Sequence, residues 1–123
     1  MTPVRVLLVE DNDSFRETLE LLFGLREEIE VVASIATGDA APPLVRELRP
    51  DVVLMDYRMP GLNGAEATRL VLDAYSGTHV VLLSASVTAQ EVAEVKAAGA
   101  VACVMKDADF DRLVATVCEA ARQ

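Results

Sequence analysis

Hydrophobic residues fall along this chain in short unbroken runs, separated by stretches where they recur every three or four positions. Val4 to Val9 is the first run and reads as a strand. The polar cluster Asn12-Asp13-Ser14 caps a helix whose Phe15, Leu19, Leu22 and Phe23 share one face. Glu30 to Ile35 is a second, weaker strand. Thr37-Gly38-Asp39 opens a helix carrying Leu44, Val45 and Leu48. Pro42 and Pro43 lack amide donors, so its first turn is expected to be irregular or late.

Pro50-Asp51 breaks the chain before a third strand, Val52 to Met55. Asn63-Gly64 leads into a helix with Ala67, Leu70, Val71 and Ala74 inward, and Ser76-Gly77 ends it. Val80 to Leu83 is the fourth strand. Thr88 caps a helix with Val92 and Val95 inward, closed by Gly99. Val101 to Met105 is the fifth strand, and Phe110, Leu113, Val114, Val117 and Cys118 stripe the last helix.

Strands that are apolar throughout and separated by helices imply a parallel sheet covered on both faces. Right-handed crossovers then give a doubly wound α/β sandwich of five parallel strands. Ligands of such sheets bind beyond the carboxyl ends of the strands. Charged and polar residues gather at those ends. Glu10 and Asp11 follow the first strand, Asp56 the third, Ser84 the fourth and Lys106 the fifth.

Taken singly, each has an ordinary reading. An acidic residue after a strand forms turns or caps helices, Ser84 is a small residue, and Lys106 is a surface charge. Their joint placement at four strand ends points elsewhere. Carboxylates crowded into one pocket repel one another unless a cation compensates them. A hard divalent ion with oxygen ligands suits the set, and Mg²⁺ needs only a few protein carboxylates. A lysine and a hydroxyl opposite could then hold an anion against the metal. A calcium loop starting at Asp11 fails, because Arg16 and Leu22 stand where its glycine and glutamate belong.

Composition narrows the partners. The 123 residues suit a single domain, 52% of them hydrophobic and 25% charged. The net charge of −9 argues against this domain gripping nucleic acid by itself. It fits either a solvated surface or acidity concentrated in a cation site. Cys103 and Cys118 lack metal-site spacing and His79 is the only histidine, so reduced thiols in apolar surroundings are expected. With neither a signal-peptide pattern nor an apolar stretch near ~18 residues, the chain reads as cytoplasmic, neither secreted nor membrane-spanning.

The segments VLLVEDND at 6–13, PDVVLMDYRMPGLNG at 50–64, LLSAS at 82–86 and AAGAVACVMKDAD at 97–109 together resemble the receiver domain of two-component response regulators. The resemblance covers essentially residues 1–123 and implies a flavodoxin-like sheet with strand order 2-1-3-4-5. The KDAD segment at 106–109 is similar to receivers that precede a LuxR-type helix-turn-helix domain.

By that resemblance, Asp56 accepts a phosphoryl group from a sensor histidine kinase or a small acyl phosphate. The Asp11 and Asp56 side chains and the Arg58 backbone carbonyl ligate Mg²⁺, with Glu10 assisting through a water. Ser84 hydrogen-bonds a phosphoryl oxygen and Lys106 pairs with the phosphate charge. The chain is then a switch rather than an enzyme, promoting only its own phosphorylation and dephosphorylation. Its output surface addresses a C-terminal DNA-binding effector domain, or a second receiver in a homodimer, and it contacts neither nucleic acid nor membrane directly.

Departures from the pattern carry expectations too. Glu10 replaces the commoner aspartate, and Asp107 replaces a proline, which removes the usual reason for a cis peptide there. The Arg58 side chain is expected to reach toward the phosphate. Cys103 replaces an aromatic residue and is read as passive packing. Two rival readings stay open: a receiver-like interaction module that works without phosphate, and a flavin-binding protein or hydrolase on the same fold. The second lacks a phosphate-cradling glycine loop or a Ser-His-acid set.

Overall fold

The computed structural model describes residues 2–123. Five parallel strands form the central sheet: β1 (Val4–Val9), β2 (Ile29–Ile35), β3 (Val52–Asp56), β6 (His79–Ser84) and β7 (Ala102–Met105), in the order β2-β1-β3-β6-β7. This is the expected 2-1-3-4-5 order. A two-residue hairpin, β4 (Arg58–Met59) with β5 (Leu62–Asn63), interrupts the count between β3 and the next helix. The helices are α1 (Asp13–Gly24), α2 (Ala41–Leu48), α3 (Gly64–Ala74), α4 (Ala89–Ala97) and α5 (Phe110–Ala120). No described helix is long and apolar enough to cross a membrane.

Alternation along the strands builds two cores. On β1, Leu7 and Val9 face α2, α3 and α4, while Val6 and Leu8 face α1 and α5. β3 divides likewise, with Val53 and Met55 on the first side and Val52 and Leu54 on the second. All five residues of β3 are buried, which explains its unbroken apolar run. The sheet therefore has little freedom to slip, because a one-residue shift would exchange the two cores.

The caps lie close to the expected places. Asn12 accepts from the Phe15 amide at 2.8 Å to start α1. Asn63 with Glu66 and Thr88 with Glu91 form reciprocal capping boxes on α3 and α4. The prolines delay α2 as expected: a 3₁₀ turn over Gly38–Ala40 precedes it. Gly99 closes the α4 turn at φ +114°, a conformation that favours glycine. Peptide bonds among the described residues are all trans.

One inward assignment needs correcting. Leu70 is 44% exposed rather than buried. The buried stripe of α3 runs through Gly64, Ala67, Thr68 and Val71, and Leu70 sits a third of a turn off it. Leu72 packs against the core instead. Both cysteines are free and partly buried, within the apolar clusters as expected.

Candidate functional site

Parallel strands all end at the same sheet edge, so the residues that close β1, β3, β6 and β7 meet there. Glu10 follows β1 and is fully buried, because its amide donates to the Ile35 carbonyl and fixes it between two strands. Asp11, one residue on, has left the sheet and is exposed at the rim. Asp56 is the last residue of β3 and is 4% exposed. Carboxylate oxygens of Glu10, Asp11 and Asp56 all lie within 4.8 Å of one another.

Lys106 closes the pocket from β7. Its backbone amide donates to the Ser84 carbonyl at 2.8 Å, tying the end of β7 to the end of β6. Its ammonium stands 2.8 Å from Glu10 Oε1 and 3.4 Å from Asp56 Oδ2. The shorter contact is a close, largely buried ion pair. Glu10 Oε2 accepts from the Asn12 amide at 3.0 Å. The Lys106 ammonium also lies 4.7 Å from the centre of the Phe15 ring, which holds it from the α1 side.

Electrostatics follow from this crowding. Burial and the Glu10 carboxylate push the Asp56 carboxyl up to about 7, against the pull of Lys106 and the Arg58 amide. Burial alone lowers Lys106, yet its contacts with Glu10 and Asp56 outweigh that and raise it. One ammonium is thus shared between buried carboxylates, leaving a net negative pocket. The donor set is all oxygen and hard, with three carboxylates facing one ammonium. Those features fit Mg²⁺.

Ser84 is buried at the end of β6, and its hydroxyl donates to the Ser86 carbonyl at 2.9 Å within its own loop. The Arg58 amide donates to Asp56 Oδ1 at 3.3 Å. Its side chain is engaged outside the pocket, and the expectation that it reaches toward a phosphate concerns the phosphorylated chain. The guanidinium pairs with Glu91 at 3.2 Å, donates to the Ser86 carbonyl at 3.5 Å and lies over the Tyr57 ring. A carboxylate on the first turn of α4 is simply the nearest counter-charge.

Sequence reasoning placed Glu10, Asp11, Asp56 and Lys106 together, and the structure brings them together. It missed Phe15 beneath Lys106, and Arg16, whose guanidinium donates to the Glu10 carbonyl at 2.8 Å. It also missed Glu91. The Thr88-x-x-Glu91 capping spacing was visible, but nothing local pairs Glu91 with a residue 33 positions earlier.

Beside the site, Asp11, Thr37, Asp39, Met59, Gly61 and Leu70 line part of an open cavity of about 580 Å³.

Known proteins resemble this chain in sequence and fold. Residues 6–118 match the response regulator receiver domain. The transcriptional regulatory protein LnrK of Bacillus subtilis is 36% identical over 114 residues, which is 93% of this chain and 52% of that protein. The DNA-binding response regulator MtrA of Mycolicibacterium smegmatis is 42% identical over 113 residues, covering 92% of this chain and 48% of that protein. The chain spans about half the length of such curated relatives. Among solved structures, the receiver domain of the regulator NarL from Mycobacterium tuberculosis superposes with a TM-score of 0.92 at 32% identity, covering 99% of this chain and 98% of that one.

Proposed function

The chain belongs to the response regulator receiver domain family, and from that premise we propose that Asp56 accepts a phosphoryl group in a Mg²⁺-dependent transfer. The observation that carries this reading is the pocket itself. A nearly buried carboxylate at the end of β3 stands among two further carboxylates and one ammonium. Phosphoryl transfer asks mainly for an aligned nucleophile and for charge compensation at the moving oxygens.

Each residue has a part in that chemistry. Asp56 supplies the attacking carboxylate oxygen. The bond from phosphorus to the donor, P–N in a phosphohistidine or P–O in a small acyl phosphate, is exchanged for a P–O bond to Asp56, and the imidazole or carboxylate departs. Lys106 already lies near Asp56 and meets the incoming charge. Asp11, Asp56 and the Arg58 carbonyl hold Mg²⁺, with Glu10 behind them. The ion when bound supplies neutralisation of the carboxylates and of the phosphoryl oxygens. Ser84 exchanges its Ser86 carbonyl for a phosphoryl oxygen. That exchange moves the loop into α4 and changes the surface formed by α4, β7 and α5.

The reading extends to the whole regulator. The chain is one receiver domain, phosphorylated by a sensor histidine kinase in the cytoplasm, and it promotes only reactions at its own Asp56. Its changed surface acts on an attached effector that regulates transcription, in keeping with the transcriptional regulatory protein LnrK and the DNA-binding response regulator MtrA. Self-association through the changed surface is part of the same proposal.

Exposure to a small acyl phosphate with Mg²⁺ tests it. Intact mass is expected to rise by ~80 Da, one phosphoryl group, and not to rise in Asp56→Asn or after chelation of the metal. A chain that stays unmodified under these conditions is instead an interaction module that works without phosphate.

A further inference from the structure

The Arg58 guanidinium and the Ser84 hydroxyl both donate to one acceptor, the Ser86 carbonyl, at 3.5 and 2.9 Å. Arg58 is held there by Glu91, whose two carboxylate oxygens lie 3.3 and 3.2 Å from the same nitrogen, Nη2. Glu91 is itself fixed. Its Oε1 accepts from the Thr88 amide at 2.9 Å, while the Thr88 hydroxyl accepts from the Glu91 amide. The Thr88 amide, with Arg58 beside it, holds the Glu91 carboxyl below the usual range, so it stays charged.

Arg58 is tied to the pocket at its other end. Its amide donates to Asp56 Oδ1 at 3.3 Å, so the residue that reaches α4 also touches the carboxylate of the pocket. A guanidinium is long and exposed enough here to choose between two anions. In the structure the choice falls on Glu91, on the helix beyond the β6 loop.

We propose that Glu91 is a positioning residue: it parks the Arg58 guanidinium on the first turn of α4 and withholds it from an anion on Asp56. The pair latches the loop of Ser84 and Ser86 to the hairpin after β3. An anion on Asp56 draws Arg58 away, and loss of that donor from Ser86 loosens the same loop that Ser84 must leave. Glu91 acts only through Arg58 and touches no reacting atom. This inference rests on the proposed phosphoryl site, because it needs an anion at Asp56.

The test uses beryllofluoride with Mg²⁺ as the probe, titrated by NMR into the wild type, Glu91→Gln, Arg58→Gln and the double variant. Glutamine keeps an oxygen for the Thr88 amide, so the α4 cap survives. Glu91→Gln is expected to bind the probe about two- to fivefold more tightly, the range of an exposed ion pair. The gain should shrink as salt rises, since the pair is screened.

The double variant decides between the latch and simple removal of a negative charge. If the latch operates, Glu91→Gln gives no gain once Arg58 is glutamine. A gain that persists without Arg58, or equal affinities for wild type and Glu91→Gln, overturns the latch while leaving the phosphoryl site standing. Failure of all four proteins to bind the probe overturns both.

Discussion

Lys106 Nζ lies 2.8 Å from Glu10 Oε1, and Glu10 is wholly buried. One exposed-side ammonium therefore compensates a carboxylate that water cannot reach, while standing farther from Asp56, at 3.4 Å. Removing it leaves buried negative charge unpaired. Lys106→Met is expected to lower stability by about 1–3 kcal/mol, and Mg²⁺ should restore part of the loss. Urea unfolding with and without the metal measures both. A variant as stable as the wild type without metal would contradict the ion-pair account.

The raised Asp56 carboxyl predicts a pH dependence for the metal-free protein. Its value of about 7 in the fold lies above the ~3.9 of an unfolded aspartate. The folded state thus binds the extra proton between those values. Stability from this group is complete below ~4, falls as pH rises and is lost above about 7. Asp56→Asn should flatten that fall and raise melting above pH 7 by about 3–6 °C. A melting profile with the same slope in both proteins would count against it.

Proton and metal compete for the same carboxylate, so Mg²⁺ affinity should rise with pH through about 7. Asp11 is exposed at the rim and Glu10 lies behind it against Lys106. Asp11→Ala is expected to weaken Mg²⁺ about a hundredfold and Glu10→Gln about tenfold. Calorimetric titration separates them. A larger loss for Glu10→Gln would reverse the two placements.

Gly64 offers a packing test close to the site. A Cβ there would stand 2.7 Å from Tyr57 Cδ2 and 3.2 Å from the Tyr57 Cα, next to Asp56. Gly64→Ala should therefore cost about 1–3 kcal/mol, although alanine favours helices. Cys103→Ala, on the partly buried edge strand, should cost about 1 kcal/mol and leave the response to beryllofluoride intact. Loss of that response in a folded Cys103→Ala would give the cysteine a part in switching.

Most strands were legible because both faces of the sheet are covered, which makes them apolar runs, whereas the edge strand β2 is only partly buried and reads more weakly. The site was legible for the same reason: parallel strands end at one edge, so residues following Val9, Met55, Leu83 and Met105 must converge. What the sequence did not carry was side-chain direction. Whether Arg58 turns to Asp56 or Glu91 depends on which anion is nearer in space, and Glu91 sits on α4, far along the chain. The β4–β5 hairpin has two residues per strand, too few for alternation to register. Leu70 misled because a leucine at helical spacing counts toward the stripe, even where smaller Ala67 and Val71 already fill it.

Borohydride reduction of the phosphorylated chain tests the central claim most directly. An aspartyl phosphate is an acyl phosphate, and hydride converts it to homoserine while phosphate departs. Peptide sequencing is predicted to find homoserine at position 56 alone, and only when Mg²⁺ was present during phosphorylation. Homoserine at Asp11 or Asp51, or at position 56 without the metal, would contradict the account.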